Sequence, residues 1–395
     1  MRHTPPRPSR LIYLDNQATT PCDPRVLAAM LPFFAERFGN PASVEHLMGA
    51  DAEAAVETAR AHVAALIGAG ANEVIFTSGA TESNNIAIKG AARHASKAGN
   101  PRRRIVCPET EHKCVRACVA ELAEEGFEPV LLPVRSDGLL DPERLRDALA
   151  APTLLVSVMA VNNETGVVQD IPTLAAIAKQ AGALFHTDAA QGVGKLPIDV
   201  AASRIDLLSL SGHKLYGPKG NGALYVRRRP RVRLTPLFSG GGQERGLRAG
   251  TLPAPLIVGL GEACRIAGIE MIAESERLAS LRARLLDRLR AAIPGLTVNG
   301  SMAARIAGNL NLTFPIVPAA ELMAGAPALC VSTGSACASA EIEPSYVLRA
   351  MGLSDDAAGR SLRIGLGRFT SAADIDDAAA ALIAAHAGSP ATTLA

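Results

Sequence analysis

Between residues 73 and 226, seven short runs rich in Val, Ile and Leu alternate with stretches of helical periodicity. The runs are 73–77, 104–107, 128–133, 154–161, 183–187, 207–210 and 223–226, and polar residues rarely interrupt them. Strands buried on both faces have this texture. Their alternation with helical stretches at 83–98, 113–126, 141–150 and 171–182 predicts an α/β fold with a mostly parallel, seven-stranded sheet. Several runs pass into polar residues at their C-terminal ends: Thr77-Ser78-Gly79, Asn162-Asn163-Glu164, Asp188 and Ser211-Gly212-His213-Lys214. Ligands of open α/β sheets bind outside the carboxyl ends of the strands, so these residues mark the predicted binding edge.

From Ala254 the texture changes. Residues 255–289 read as one long helix, followed by weaker strand signals at 309–314 and 361–366, as in a smaller α+β domain. The alanine-rich end, 374–395, predicts a helix and then a frayed Gly-Ser-Pro tail. Gly325 and Pro327 should end any helix ahead of residue 327 early. A net charge of +2 and the absence of Trp give no field or stacking platform for nucleic acid. The short basic runs at 102–104 and 227–229 read as solvated turns, so direct nucleic-acid binding is not expected. Seven cysteines are an odd count, too sparse for a disulfide scaffold, and fit thiols kept reduced in a cytoplasm. The apolar runs fall well short of the roughly 20 residues a bilayer needs, and no apolar segment follows the basic N-terminus; no membrane partner is expected.

Three constellations carry chemistry. In Thr77-Ser78-Gly79-Ala80-Thr81-Glu82-Ser83-Asn84 a strand gives way through small residues to a helix, which offers free N–H groups and a helix dipole to an anion. An ordinary N-cap is the alternative. In Phe185-His186-Thr187-Asp188-Ala189-Ala190-Gln191 an apolar strand ends in a carboxylate. That group suits a cap, a metal site or the partner of a protonated pyridinium nitrogen. In Ser209-Leu210-Ser211-Gly212-His213-Lys214 a lysine directly follows a buried strand. Desolvation there would lower its pKa and make the amine nucleophilic; a solvated surface lysine is the alternative. An anion-binding turn, then a strand-end Asp, then a strand-end Lys is the order a pyridoxal phosphate enzyme needs. Cys114 and Cys118 stand at metal-like i, i+4 spacing, but no further ligand pair accompanies them and no metal is expected.

These motifs, with Thr110-Glu111-His112-Lys113, Val161-Asn162-Asn163-Glu164-Thr165-Gly166, Gly240-Gly241-Gly242-Gln243-Glu244-Arg245-Gly246, Ser332-Thr333-Gly334-Ser335-Ala336-Cys337 and Arg363-Ile364-Gly365-Leu366-Gly367-Arg368, are similar to those of the cysteine desulfurases of the NifS/IscS type. That group belongs to the class V aminotransferases and has the fold-type-I architecture of pyridoxal phosphate enzymes. The resemblance spans nearly the whole chain. It implies a large cofactor-binding domain at 21–255 and a small domain at 1–20 and 256–395 that carries the catalytic loop.

The resemblance also implies roles. Lys214 would bond to pyridoxal 5′-phosphate, Asp188 would face its ring nitrogen, and Gln191 its ring hydroxyl. Ala80, Thr81, Ser211 and His213 would hold the phosphate, joined by Thr251 from the other subunit of a homodimer. His112 would stack on the ring and handle protons, and Asn163 would touch both cofactor and substrate. Arg363 would grip the substrate carboxylate in a two-point fork, with Asn40 nearby. The bland readings are a helix cap for His112 and a strand-edge ion pair for Arg363. Cys337, in a run of small residues, would attack the sulfur of bound L-cysteine to give a persulfide and alanine. The sulfur would then pass to an iron–sulfur scaffold or another thiolation protein. Cys330 would be buried filler or half of a regulatory disulfide. A selenocysteine lyase, another enzyme of the same class and a non-catalytic sulfur carrier are the competing expectations.

Overall fold

The structure, a computed structural model, describes residues 10–334 and 344–393. Cys337 therefore lies outside the described residues. The chain divides into two compact units: Thr20–Asn162 with Val167–Ile272, and Met1–Thr19 with Asn163–Gly166 and Ala273–Ala395. The division falls inside the long helix Ala254–Ala292 and not at its start.

Twelve strands among the described residues, numbered along the chain, form three sheets. The larger unit holds the seven-stranded sheet: β2 (Val74–Thr77), β3 (Arg104–Pro108), β4 (Glu128–Leu132), β5 (Thr153–Ser157), β6 (Leu184–Asp188), β7 (Leu207–Ser211) and β8 (Gly222–Val226), in spatial order β2-β8-β7-β6-β5-β3-β4. β8 alone runs against its neighbours, so the expected α/β class with a mostly parallel seven-stranded sheet is found. β2, β5, β7 and β8 are buried at every position, which is why their sequences lack alternation. One apolar core joins the sheet to the helices Ala80–Lys97 and Lys113–Glu121 through residues such as Ile86, Ile88, Ile105, Val115, Leu155 and Leu224.

Several expected elements are shorter than predicted, and two of them show why. The run at 154–161 is a strand only to Ser157; beyond it Val158 and Ala160 still donate to the carbonyls of His186 and Asp188. The helix from Lys113 ends at Glu121 and tightens into a 3-10 turn, Leu122–Glu125, which Gly126 closes at φ +81°. A side chain is disfavoured at that φ, so glycine sets the stop.

The smaller unit holds β1 (Ile12–Tyr13) parallel to β11 (Leu329–Cys330), and an antiparallel sheet of β9 (Thr297–Val298), β10 (Asn309–Thr313) and β12 (Ser361–Gly365). Leu285, Leu289, Leu310, Phe314, Leu362 and Leu382 build its core. The helix Ala319–Gly325 stops ahead of Pro327, as the sequence predicts. The Gly-Ser-Pro tail, expected to fray, instead forms a further turn, Pro390–Thr393, after the helix Ala372–Ala387. The Ser389 hydroxyl ties that turn down by donating to Glu321 Oε2 at 2.6 Å. Among the described residues no helix is long and apolar enough to cross a membrane.

Candidate active site

The carboxyl ends of β2, β6 and β7 lie along one edge of the large sheet, and β8 begins beside them: Gly222 pairs with both Thr77 and Ser211. After β2 the chain turns at Gly79, whose φ of +146° and ψ of −178° are open essentially to glycine alone. The helix Ala80–Lys97 starts there with no side-chain cap, so its first N–H groups and the positive end of its dipole face outward. A Cβ on Gly79 would sit 3.6 Å from the Ser211 hydroxyl, and one on Gly222 would sit 2.7 Å from Gly79 Cα. Glycines thus let the turn nest against the start of β8 and the end of β7. Glu82 braces it by accepting from the Ser78 N–H at 2.7 Å and from Arg248 Nε at 2.9 Å. Burial alone would raise the Glu82 carboxyl; these hydrogen bonds win and hold it below its usual value.

Asp188, the last residue of β6, is 5% exposed. Its Oδ1 accepts from the Ala190 N–H at 2.9 Å and its Oδ2 from Asn84 Nδ2 at 2.8 Å. Lys214 and His213 sit on the 3-10 turn Gly212–Lys214 that follows β7. Desolvation, then the charges of Lys214, Lys219 and Lys195, press the His213 imidazole down to about 4, so it is neutral at pH 7. The Gln191 carbonyl accepts from Lys195 Nζ at 2.8 Å.

His112 is the N-cap of the helix Lys113–Glu121: Nδ1 accepts from the Cys114 N–H at 3.2 Å. The ring is half-buried. Desolvation lowers its pKa, Asp188 opposes this, and Lys214 and Lys113 reinforce it. The capping reading of the sequence is therefore correct, and the same ring also lies within the electrostatic reach of Asp188 and Lys214. One residue earlier, Glu111 is fully buried and accepts from the Met159 N–H; burial pushes its carboxyl well above the carboxylate range.

The structure thus brings Ala80, Thr81, Ser211, Asp188, His112, His213 and Lys214 to one sheet edge in the larger unit. Thr251 and Asn40 are exposed on loops of that unit; Asn40 Oδ1 accepts from the Ala42 N–H at 3.0 Å. In the smaller unit Arg363, on β12, is 3% exposed. Its Nη2 donates to Asp15 Oδ1 at 2.7 Å and its Nη1 to the Asn163 carbonyl at 3.1 Å. Among the described residues, Arg363 Nε and Asn163 Oδ1 are buried without a hydrogen-bond partner. A buried guanidinium with an unused N–H is poised for an anionic ligand. The ion-pair reading of Arg363 is correct, and its Nε–H remains without a partner among the described residues.

Sequence reasoning missed Asn84, Asp15 and the placement of Cys114. Asn84 carried a signal, being a polar residue in the buried stripe of its helix (Ser83, Asn84, Ala87, Ile88, Ala91). Asp15 stands 348 residues from its partner and gave none.

The match to the aminotransferase class-V family covers residues 12–377. The chain belongs to that family, among its cysteine desulfurases. It is 55% identical over 365 residues to "Cysteine desulfurase IscS" of Anaeromyxobacter sp., covering 92% of this chain and 90% of that one. A solved "NifS-like protein" superposes with a TM-score of 0.87 at 34% identity, over 94% of this chain and 98% of the other. A second solved structure, "SspA in complex with cysteine", gives 0.80 at 38% identity, over 91% and 99%.

The family is one of pyridoxal phosphate enzymes, and the residues present fit that group. The uncapped helix start, framed by a glycine-only turn and the Ser211 hydroxyl, suits a phosphate. The desolvated Asp188 carboxylate suits a protonated ring nitrogen.

Proposed function

We propose that the chain is a pyridoxal-phosphate-dependent L-cysteine desulfurase that works as a homodimer and hands sulfur to an acceptor protein. The observation that carries this reading is the grouping on one sheet edge of Lys214, the buried Asp188, His112 and the Gly79 turn. Bound pyridoxal phosphate supplies an aldehyde that bonds to amines and a ring that stabilises negative charge on substrate carbon. The Ala80 and Thr81 N–H groups, the Thr81 and Ser211 hydroxyls and His213 would hold its phosphate, with Thr251 of the partner subunit. Asp188 would keep a proton on the ring nitrogen, Gln191 would donate to the ring hydroxyl, and Lys214 Nζ would bond to the aldehyde carbon.

Arg363 and Asn163 would orient the substrate carboxylate, Asn163 would also touch the cofactor, and Asn40 would lie by the substrate. The Cys337 thiolate would form an S–S bond to the substrate sulfur as its C–S bond breaks. Carbon keeps the electron pair of the broken bond and takes up a proton, giving alanine, while Cys337 keeps the oxidised sulfur as a persulfide. His112 would move the protons. The acceptor, an iron–sulfur scaffold or a thiolation protein, then removes that sulfur. Cys337 must return to a thiol after each transfer, which suits a reducing compartment such as the cytoplasm.

Exposed Leu31, Phe34, Phe38 and Leu47, all in the N-terminal helical region, support the dimer, because exposed apolar groups of this size commonly mark interfaces. Given L-cysteine, the Cys337→Ser variant should bind coenzyme normally and form alanine at least about 100-fold more slowly than wild type. Alanine formation at the wild-type rate would overturn the assignment.

A further inference from the structure

Asn84, Cys114 and His112 form a hydrogen-bonded chain that ends on Asp188, and the proton positions along it are fixed by chemistry. Asp188 Oδ2 accepts from Asn84 Nδ2 at 2.8 Å. The same amide nitrogen lies 3.1 Å from Cys114 Sγ, so its second hydrogen goes to the sulfur. Cys114 Sγ lies 3.0 Å from His112 Nδ1. That nitrogen already accepts the Cys114 backbone N–H at 3.2 Å, so it carries no proton, and the thiol hydrogen points to it while the Thr81 hydroxyl donates to the sulfur. Burial, with the charge of Asp188, pushes the Cys114 thiol up to about 12, and the hydrogen bonds of Asn84 and Thr81 oppose this. The sulfur therefore has a hydrogen to give at neutral pH.

We propose that Cys114 is a positioning residue whose thiol, beside the backbone N–H of the helix cap, holds His112 in the tautomer carrying its proton on Nε2. The polarity runs outward from Asn84: one amide hydrogen to Asp188, the other to sulfur, and the thiol hydrogen to Nδ1. Nε2–H is then the ring's free end, and a proton taken up at Nδ1 would break both the thiol bond and the helix cap. The charged groups acting on the ring are Asp188 from β6, Lys214 from the 3-10 turn and Lys113 from its own helix; none of them supplies the hydrogen that Cys114 does. The catalytic meaning of the lock rests on the reading above. The lock itself does not, because it is visible in the chain without coenzyme.

The test is long-range ¹H–¹⁵N correlation of ¹⁵N-histidine-labelled full-length chain, before and after reconstitution with pyridoxal phosphate, with His112→Gln identifying the signal. Wild type should show the neutral ring protonated on Nε2. Cys114→Ala loses one of the two hydrogen bonds to Nδ1 of the neutral form and keeps the backbone one, so its His112 pKa should rise by roughly 0.5–1 pH unit while the neutral ring stays protonated on Nε2. Cys114→Ser, which keeps a donor and an acceptor, should restore the wild-type pKa. A neutral wild-type ring protonated on Nδ1 would overturn the proposal, as would a His112 pKa in Cys114→Ala indistinguishable from wild type. If the lock is seen but the reconstituted chain lacks coenzyme absorbance, the functional reading fails and the lock stands.

Discussion

Replacing Arg363 with lysine keeps the positive charge and removes the fork. The guanidinium gives one hydrogen to Asp15 at 2.7 Å and one to the Asn163 carbonyl at 3.1 Å, and its Nε–H is unused among the described residues. On the proposed role, a carboxylate arriving there would be met by two parallel N–H donors. A lysine ammonium is drawn to Asp15 and can offer the substrate one contact at most. The loss is one charge-assisted hydrogen bond, about 1.5–3 kcal/mol, or roughly a 10- to 150-fold fall in kcat/KM. Only the contact to the Asn163 carbonyl is lost from the fold itself, about 1 kcal/mol, so the variant should remain folded. The assay is steady-state alanine formation over a range of L-cysteine concentrations, with thermal unfolding as the control. The fall should appear mainly in KM, because the carboxylate does not change during the reaction. A kcat/KM within threefold of wild type would refute the argument. A fall confined to kcat would move Arg363 from orienting the substrate to the chemical step.

Further outcomes follow from other parts of the fold. Gly79→Ala forces a side chain to φ +146° and should cost about 1–3 kcal/mol, seen as weaker pyridoxal phosphate retention in equilibrium dialysis; unchanged retention would separate the turn from the cofactor. His186, fully buried between the Ser157 and Ser209 hydroxyls, is held by desolvation at about 4. Its folded value lies below the unfolded value of about 6.5, so only the unfolded chain gains a proton as pH falls through that window, and stability drops by roughly 2 kcal/mol at pH 5 relative to pH 7. Urea midpoints at the two pH values should show this, and His186→Gln should reduce the difference. Glu244→Ala should destabilise the larger unit by about 2–4 kcal/mol, because it removes the buried carboxylate to which both Nη atoms of the buried Arg60 donate at 2.8 Å and leaves that charge only the exposed Glu57 and the Val74 carbonyl. Replacing both residues with apolar ones should recover most of that loss in the same denaturation assay.

What the sequence made legible was whatever is local. Buried strands lack polar alternation, so all seven strands of the large sheet could be read from short apolar runs. Asp188 and Lys214 could be read because each follows such a run directly. The overshoot at 158–161 has a physical source: that segment stays buried and hydrogen-bonded to β6, so its composition is strand-like although the ladder has ended. The second layer of the site was not legible. Asn84 meets Asp188 across 104 residues and Cys114 across 30, and only the folded sheet edge brings them together. The spacing of Cys114 and Cys118 suggested at most a metal pair, whereas Cys114 turns toward His112 and Cys118 packs into the core.

The central claim is that sulfur leaves L-cysteine by way of Cys337. The most direct measurement is mass spectrometry of the reconstituted enzyme after L-cysteine is added without reductant, with alanine quantified in parallel. The account predicts one extra sulfur atom on the peptide containing Cys337, formed together with an equal amount of alanine and absent from Cys337→Ser. Alanine formed at the wild-type rate while the extra sulfur sits on another cysteine, or on none, would contradict it.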